Sequence, residues 1–403
     1  MADGSLPSIS DKPSVVIFCG SPLASQPISQ RIGTFAAFLA ERDWRVRLTA
    51  VDVRFDGSPF VEHDPLSGMD VEIIGKTQYD LDRKGQQVAR PSATYLRESG
   101  AITGRISQMA SESSADHILL STSMPPSLMA GFTLRRRHPS VWMDLDDWVS
   151  GQFVAGGGGR AKGLAYGALE RVLPHFAHHI TVCSTFLQRL YPKATLVPNF
   201  IRGEDIPSPA PKASGVARVA FAGTLTGYYG HAELLEELVA RRAELSNVEF
   251  SILGDGAAVD TCRAIVERGG ISGLVHFSGS LSRPCMMDEL VRSDIGVLPL
   301  GDRRCDRARF PLKLLDYLAS GCAIAASDSG MAGHILTQDR TALLSPAGSM
   351  GSLVDDVLRL AKSPDLRARL ATEGRTLVRQ YDADVICEEW MRSIETTAGE
   401  RAS

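Results

Sequence analysis

A short helix, a glycine stop and a buried strand succeed one another in Phe310-Pro-Leu-Lys-Leu-Leu-Asp-Tyr-Leu-Ala-Ser-Gly-Cys-Ala-Ile-Ala-Ala-Ser-Asp-Ser-Gly330. The proline suits the first position of a helix, where its missing N–H costs no hydrogen bond, and the first glycine suits the left-handed residue that ends one. Helical spacing places four side chains on one face, those of Lys313, Asp316, Tyr317 and Ser320. A cation and a carboxylate one turn apart are as typical of a plain surface ion pair as of a binding site.

The segments on either side of this stretch favour a binding site. A small-residue loop, Asp328–Gly333, follows the strand, and an arginine-rich run precedes the helix. In open α/β sheets ligands bind at the carboxyl ends of the strands, and the amides at a helix start attract anions. We therefore expect a phosphorylated ligand here. The arginines of the run are Arg303, Arg304, Arg307 and Arg309.

Length and composition indicate an ordinary globular protein of two domains. The chain has 403 residues, enough for two hydrophobic cores, and its residues are 44% apolar and 22% charged. The formal net charge of −4 argues against a nucleic-acid binder, which is expected to be basic. No apolar run reaches the roughly eighteen residues of a membrane-spanning helix, and residues 1–13 lack the features of a signal peptide. We expect a cytoplasmic protein.

Neither the cysteines nor the clustered acids predict a metal site. The seven cysteines are scattered without a Cys-x-x-Cys pair, which favours reduced thiols. Asp144, Asp146 and Asp147 close a predicted strand and could bind a divalent ion, but acids at a strand end cap loops at least as often. With no second cluster to complete a coordination shell, we predict no metal. Gly156–Gly159 lacks the Lys-Ser/Thr of a P-loop and suits a hinge.

The first half opens as a doubly wound sheet. A strand at Ser14–Gly20, a helix at Ile28–Arg42 and a strand at Trp44–Asp52 form a strand–helix–strand start. Gly20 and Ser21 follow the first strand and are candidate ligand contacts, although the Gly-x-Gly-x-x-Gly fingerprint of dinucleotide binding is absent.

The same alternation restarts after a proline-rich linker. Between the two halves lies Pro207–Gly215, whose composition marks a domain boundary. The polar stretch Asp56–Arg90 predicts loops around one short strand, Val71–Ile74. The predicted fold class is α/β, with two doubly wound Rossmann-like domains facing across a cleft. The expected divisions are a first Rossmann-like domain at 1–203, a linker at 204–216, a second Rossmann-like domain at 217–380 and a C-terminal helix at 381–403 that can cross back to the first domain.

Six segments of the second half resemble the retaining GT-B glycosyltransferases of the family 4 type, the glycosyl transferases group 1. They occur in order and at the family's spacing over nearly all of residues 195–340. The first half resembles the family loosely, through its fold pattern and the strand Ile180–Ser184. The six segments are Val197–Asn199, Phe221–Leu225, Ile252–Gly256, Val275–Gly279, Asp294–Pro299 and Pro311–Asp328.

The resemblance implies a nucleotide diphosphate sugar as donor, with a UDP-sugar favoured over GDP, ADP or dTDP sugars. It implies transfer to an acceptor hydroxyl or amine with retention at the anomeric carbon, no cofactor and no essential metal. The second acid of the family's Glu-x7-Glu motif, which binds the nucleotide ribose, corresponds to Asp316. The first acid of that motif falls on Ala308, a departure that removes a group contacting the sugar.

The family's phosphate-binding cations are missing from their usual loop, here Thr224–Gly230. Arg309 and Lys313 are therefore the candidate catalytic residues, offsetting the charge that develops on the leaving diphosphate. His334 replaces the usual glutamate after the glycine turn and is a candidate donor or acceptor contact. The remaining candidates for donor binding are Gly223, Thr224, Gly254, Phe277, Ser329, Gly330, Met331 and Ala332.

Several alternatives stay open at this point. The catalytic histidine of many members is absent from Ser121–Pro125, which suits a front-face reaction in which the departing phosphate takes the acceptor's proton. A catalytically inactive donor-binding or scaffolding protein and a nucleotide-sugar epimerase remain as rival functions. Arg135–His138 is a weak hint of a membrane surface. The oligomeric state and the acceptor are not predicted.

Overall fold

The structure is a computed structural model that describes residues 12–21, 26–65, 67–81, 87–138, 140–208, 215–226 and 230–402. It divides into two compact units. Unit 1 runs to Val197, apart from Ala155–Gly157, and resumes at Cys387, whereas unit 2 holds Pro198–Ile386 together with Ala155–Gly157. Residues 209–214 of the predicted linker and 227–229 of the predicted Thr224–Gly230 loop lie outside the described residues.

In the residues that the structure describes, unit 1 contains ten strands. These are β1 Ser14–Cys19, β2 Arg45–Asp52, β3 Phe60–Asp64, β4 Met69–Lys76, β5 Tyr79–Leu81, β6 Gln87–Ala89, β7 His117–Ser121, β8 Val141–Leu145, β9 His179–Val182 and β10 Thr195–Leu196. Its helices are α1 Gln26–Glu41, α2 Ser92–Glu112, α3 Pro125–Leu134, α4 Val149–Ala155, α5 Arg160–Val172 and α6 Thr185–Leu190, and a 3₁₀ turn, Leu173–Phe176, follows α5.

Eight of these strands form one sheet in the order β10-β9-β8-β7-β1-β2-β4-β3. Every pairing is parallel except that of the edge strand β3 with β4. Buried β-branched and aromatic residues fill β1, as expected for a parallel strand covered on both faces. The prediction of loops over Asp56–Arg90 was wrong, because β3 and the separate hairpin of β5 and β6 also lie there.

Unit 2 repeats the design with six strands. These are β11 Ala217–Ala222, β12 Val248–Leu253, β13 Val275–Gly279, β14 Ile295–Leu298, β15 Ala323–Asp328 and β16 Leu343–Pro346. The helices are α7 His231–Ala240, α8 Val259–Arg268, α9 Arg283–Arg292, α10 Arg304–Ala308, α11 Leu312–Ala319, α12 Gly330–Ile335, α13 Met350–Lys362, α14 Pro364–Val378 and α15 Ala383–Ala402, and the boundary back to unit 1 falls within α15.

The second sheet is wholly parallel, with strand order β13-β12-β11-β14-β15-β16. Successive strands are added to one side of β11 as far as β13, and from β14 onward they are added to its other side. Doubly wound folds bind ligands at the carboxyl ends of the strands at such a switch point. The predicted pair of doubly wound α/β units is therefore confirmed. No helix among the described residues is long and apolar enough to span a bilayer.

Tyr317 of α11 ties the two strands of this switch point together. Its hydroxyl accepts a hydrogen bond from Ala222 N at 2.8 Å and donates one to Val297 O at 3.1 Å. The ring fits because a Cβ at Gly296 would lie 2.6 Å from it. Gly321 ends α11 with φ of +68°, which confirms the left-handed glycine that the sequence predicted.

We expect Tyr317→Phe to destabilise unit 2 by about 1–3 kcal/mol, because the buried Ala222 amide loses its hydrogen-bond acceptor. Hydrogen–deuterium exchange provides the measurement, with faster exchange of the Ala222 amide in the variant. Peptides from β1 of unit 1 are the internal control and should exchange as in the wild type. An unchanged rate at Ala222 would mean that the hydroxyl bridge contributes nothing.

Candidate functional site

Glycines allow two loops to meet at the carboxyl edge of β11 and β12. Gly223 and Gly254 have φ of +129° and +154°, values that side-chain-bearing residues rarely adopt. A Cβ at Gly254 would lie 2.1 Å from Gly223 O, so the backbones touch. The loops are further joined by a hydrogen bond from Leu225 N to Asp255 O at 3.0 Å. Thr224 is exposed between Gly223 and the buried Leu225.

Lys313 of α11 reaches the place where Gly223 and Gly254 meet, which we call the glycine edge. Its Nζ lies 4.7 Å from the centre of the Phe221 ring, and a Cβ at Gly223 would be only 2.6 Å from it. Burial disfavours the charged amine and the nearby Arg309 repels it, so the pKa of Lys313 falls to about 7 although Asp316 opposes the change. A cation held out of water beside backbone amides is suited to binding an anion.

Arg309 is held by a buried carboxylate that the sequence analysis overlooked. Asp306 accepts a hydrogen bond from Arg309 at 2.6 Å and a second from Arg303 at 2.8 Å. The Asp306 side chain is fully buried, and that of Arg309 is largely so. Asp306 therefore positions Arg309, the cation that acts on Lys313.

His231, the first residue of α7, is a further member of this cluster. It follows Gly230, whose φ is +76°, and its ring lies edge-on to Phe221 with centroids 4.4 Å apart. Burial, together with repulsion from Lys313 and Arg309, lowers the pKa of His231 to about 3. The imidazole is therefore neutral at ordinary pH and adds no charge to the site.

Asp316 is buried and paired with an arginine from another helix. The interpretation of Lys313 and Asp316 as a plain surface ion pair was therefore wrong. The Oδ1 atom of Asp316 accepts a hydrogen bond from Arg283 at 3.1 Å, and Arg283 also contacts Asp205 at 3.2 Å. Burial raises the pKa of Asp316, and the charge of Arg283 opposes the increase. The Arg283 contact fixes one carboxylate oxygen of Asp316.

The segment after β15, predicted as a loop, is the short helix α12. Ser329 donates a hydrogen bond from its hydroxyl to Gly301 O at 2.9 Å. Gly330 has φ of +55°, and a Cβ added to it would lie only 2.8 Å from Arg307 O. The side chains of Met331 and Ala332 are buried, whereas His334 is exposed.

Three further candidates, Phe277, Gly20 and Ser21, belong to other elements than the residues around Lys313. Phe277 of β13 packs against the hydrophobic core and carries Arg263 over its ring at 4.6 Å. Gly20 and Ser21 belong to unit 1, at the carboxyl end of β1. Gly20 N donates to Ser121 Oγ at 3.1 Å, and a Cβ at Gly20 would lie 2.9 Å from Ser127 Oγ.

Two acids at the end of β8, Asp144 and Asp146, differ in their hydrogen bonding. Asp144 accepts two hydrogen bonds from the guanidinium group of Arg31, at 2.7 and 2.8 Å. Burial, followed by repulsion from Asp147 and Asp144, raises the pKa of Asp146 to about 8, and the Oδ1 atom of Asp146 is buried without a hydrogen bond. A carboxyl group of this kind can exchange a proton with a bound hydroxyl near neutral pH. In the part of the chain that the structure describes, no three His, Cys, Asp or Glu residues are grouped to hold a metal ion.

The sequence signals for the missed residues were present but ambiguous. Asp306 lies within the arginine-rich run, and His231 begins a helix after a glycine, features that also occur on ordinary surfaces. Arg283 follows Ser282, a serine cap that predicts the start of a helix. The cap does not indicate that Arg283 pairs with Asp316, 33 residues away.

Comparisons with known proteins indicate the family that part of the chain resembles. Residues 204–377 match the family model of Glycosyl transferases group 1. The chain is 25% identical over 217 residues to a phosphatidyl-myo-inositol mannosyltransferase of Mycobacterium leprae (strain TN), covering 53% of this chain and 56% of that protein. The protein of the same name from Mycolicibacterium smegmatis (strain ATCC 700084 / mc(2)155) is 25% identical over 221 residues, covering 53% and 54%. The chain thus matches about half the length of these curated relatives.

Solved structures with the same fold include sucrose-phosphate synthase (tll1590) from Thermosynechococcus elongatus. Its TM-score is 0.76 at 15% identity, with 97% of this chain and 100% of that one covered. Anabaena HepE (Alr3699) in complex with UDP has a TM-score of 0.68 at 14% identity, with coverage of 95% and 100%. These likenesses confirm the predicted GT-B fold class, and the family match confirms the resemblance found in the sequence. Residues 204–377, a little under half of the chain, thus match the family model of the glycosyl transferases group 1.

Proposed function

We propose that the chain is a glycosyltransferase that moves a sugar from a nucleotide diphosphate sugar to an acceptor hydroxyl or amine. The reaction retains the anomeric configuration and needs no metal ion, and the favoured donor is a UDP-sugar. Support for the reaction class comes from the family match and from relatives that are named mannosyltransferases. Support for UDP comes from HepE, which has the same fold and has been solved with UDP and with UDP-glucose.

The observation that carries the proposal is the cationic cluster at the glycine edge of unit 2. Lys313 lies against Gly223 at the carboxyl end of β11, and Arg309 is close enough to lower the pKa of Lys313. A diphosphate placed over Gly223 and Gly254 receives charge-assisted hydrogen bonds from both cations. The same cations stabilise the leaving diphosphate as the bond to the sugar breaks.

The ribose is assigned to Asp316. Arg283 occupies Oδ1 of this carboxylate, which leaves Oδ2 to accept from a ribose hydroxyl. Arg283 is then a positioning residue, because it fixes the carboxylate without contacting the donor. Ala308 lies where the family motif has its first acid and is fully buried, so it offers no group to the sugar.

The proton of the acceptor is assigned to the departing phosphate, in a front-face reaction. This route requires no histidine in the loop Ser121–Pro125, where none is present. The curated relatives bear the name of a phosphatidyl-myo-inositol acceptor, which makes a polyol headgroup the first acceptor to assay.

Thermal shift with UDP, GDP, ADP and dTDP tests the donor assignment. UDP at about 100 times its dissociation constant should stabilise the chain by about 2.7 kcal/mol, which corresponds to a rise of roughly 5 °C or more in Tm. The same shift is expected in the presence of EDTA. A metal-dependent shift would contradict metal independence, and a larger shift with another nucleotide would replace UDP.

Arg309→Ala should weaken UDP binding at least about tenfold, since a hydrogen bond from a charged donor is lost. Arg307→Ala is the matched control, because Arg307 is exposed and pairs with Asp302 at 2.9 Å, and it should bind UDP as the wild type does. Sugar transfer from a labelled donor, with the product anomer assigned by NMR, then tests the reaction. Nucleotide binding without transfer or hydrolysis would support an inactive donor-binding protein, and turnover without any acceptor would support an epimerase.

A further inference from the structure

A buried glutamate, Glu170, joins two loops of unit 1. It belongs to α5 and is 1% exposed. Its Oε1 atom accepts hydrogen bonds from the Ser123 hydroxyl and from Val149 N, the latter at 2.9 Å, and its Oε2 atom accepts one from Ser150 N at 3.0 Å. Ser123 lies in the loop after β7, whereas Val149 and Ser150 begin α4, directly after the loop that follows β8. One carboxylate therefore holds the chain beyond the ends of two neighbouring strands.

The carboxylate and the start of α4 satisfy each other. The first amides of an α-helix have no acceptor within the helix, and Val149 and Ser150 are the first two residues of α4. Burial raises the pKa of Glu170, and the hydrogen bonds from Ser123 and from these amides oppose the increase. Removing the carboxylate would thus leave buried donors without an acceptor, which loosens the segments that carry them.

The loop after β7 is fastened at two further points. Tyr166, one helical turn before Glu170, donates its hydroxyl hydrogen to Ser123 O at 2.7 Å, so α5 binds Ser123 through both its side chain and its carbonyl. Thr122 of the same loop has φ of +61°, which is rare for a β-branched residue, and its amide donates to Asp144 O at 2.7 Å. Such a backbone conformation persists only where the surrounding structure imposes it. The loop is therefore held in place by its contacts.

This loop lies at the switch point of the unit 1 sheet. After β1, strands are added to one side as far as β4, and from β7 onward they are added to the other side. Ligands bind at the carboxyl ends of the strands at such a point. The loop after β1 meets the loop after β7 there, because Gly20 N donates to Ser121 Oγ at 3.1 Å and a Cβ on Gly20 would lie 3.1 Å from Thr122 Oγ1. Partly exposed polar side chains at this edge include Ser21 and Asp147.

We propose that Glu170 is a positioning residue for the acceptor, because it fixes the loops after β7 and β8 at the switch point of unit 1. The inference rests on the proposed function, in which the donor occupies the switch point of unit 2 and the acceptor is left that of unit 1. Glu170 is buried and acts through Ser123 and the start of α4, without touching the acceptor itself. Small displacements of such loops are costly, since the acceptor hydroxyl must lie close to the reacting carbon.

Two variants of the full chain test this role. In Glu170→Gln an amide N–H of α4 loses its acceptor whichever way the new side chain is turned, because its NH₂ group cannot accept. Tyr166→Phe removes the hydrogen bond to Ser123 O and leaves Glu170 in place. With UDP-glucose as the donor probe and myo-inositol as the acceptor probe, Glu170→Gln should raise the acceptor KM at least about tenfold, and Tyr166→Phe should raise it by a smaller factor. The thermal shift with UDP should stay as in the wild type.

Tyr191→Phe is the matched control for the stability of α5. The Tyr191 hydroxyl donates to the backbone oxygen of Glu170 at 2.6 Å, so its loss weakens the same helix without removing a contact of the carboxylate. A smaller amount of folded protein lowers kcat and leaves KM unchanged, so this variant should keep the wild-type acceptor KM. Hydrogen–deuterium exchange of residues 122–124 and 146–150 should be faster in Glu170→Gln and unchanged in Tyr191→Phe.

Two results would overturn the inference and leave the proposed function standing. One is transfer by Glu170→Gln with the acceptor KM of the wild type. The other is a rise in KM that Tyr191→Phe shares to the same extent, since the stability of α5 would then account for it. Should Glu170→Gln not fold, Tyr166→Phe is judged by the same two criteria. A wild-type chain that is stabilised by UDP but transfers no sugar would instead contradict the proposed function, and the acceptor role of Glu170 with it.

Discussion

UDP binding is expected to weaken about tenfold for each pH unit above 7, because the amine of Lys313, which we propose binds the diphosphate, loses its charge there. The pKa of Lys313 is lowered to about 7 by burial and by the repulsion of Arg309. A bound diphosphate supplies negative charge and raises that pKa, so binding takes up a proton above pH 7. The affinity should fall until the pH reaches the pKa of Lys313 in the complex.

The neighbouring groups do not obscure this pH dependence. His231 has a pKa of about 3 because of burial and the adjacent cations, so it stays neutral between pH 6 and 9. In the free protein, the folded pKa of Lys313 lies below its ordinary value of 10.5. The unfolded state therefore binds more protons, and the free energy of unfolding contributed by this group rises between pH 7 and 10.5.

Isothermal titration of UDP from pH 6 to 9, in two buffers of different ionisation enthalpy, measures both affinity and proton uptake. Lys313→Met should abolish the proton uptake and weaken binding at pH 6.5 by about 10- to 100-fold, the cost of losing a charged hydrogen bond. Lys193→Met, which removes an exposed lysine of unit 1, is the control and should keep the wild-type profile. A wild-type affinity that does not vary with pH would show that Lys313 does not contact the diphosphate.

The site around Lys313 illustrates what local sequence patterns can predict. Helical spacing placed Lys313, Asp316 and Tyr317 on one face, and the glycine stop at Gly321 was correct. The partners of these side chains come from distant segments. Arg283 lies 33 residues before Asp316, and Tyr317 bonds to Ala222, 95 residues away. Periodicity describes one element at a time, so it carries no information about which elements pack together.

Helix α5 shows a second limit of pattern analysis. α5 occupies Arg160–Val172, and a 3₁₀ turn, Leu173–Phe176, follows it. The apolar residues of α5 recur at helical spacing, yet Leu164, Leu169 and Val172 face solvent. The hydrophobic pattern identifies the apolar face but not the face that is buried. In α5 that choice is made by the hydrogen bonds of Tyr166 and Glu170 and by two glycines that permit close approach.

The strands missed between residues 56 and 90 have another cause. β3 alternates between partly buried and exposed residues over a short run, and Pro65 and Gly68 separate it from β4, the strand that was predicted. Such a run is stabilised by pairing with an existing sheet edge more than by its own propensity. β4 supplies that edge, and this pairing is not encoded within β3 itself.

A buried ion pair between Arg31 and Asp144 stabilises unit 1. Arg31 of α1 donates two hydrogen bonds to Asp144 at the end of β8 and a third to Val197 O at 2.9 Å. The side chains are 3% and 1% exposed. Asp144 also accepts from the Thr181 hydroxyl at 2.6 Å. The pair thus joins α1, β8 and β9, and removing either charge leaves the other buried without its counter-charge.

Arg31→Met is expected to lower the free energy of unfolding of unit 1 by about 3–5 kcal/mol, the cost of leaving one member of a buried pair uncompensated. All four tryptophans of the chain lie in unit 1, so tryptophan fluorescence during urea denaturation follows this unit selectively. Arg31→Met/Asp144→Leu should recover much of the loss, because it removes both charges together. Lys12→Met, which breaks an exposed pair with Asp43, should cost less than about 1 kcal/mol. A loss in Arg31→Met no larger than that of Lys12→Met would show that water reaches Asp144, in which case the carboxylate does not depend on Arg31 to remain charged.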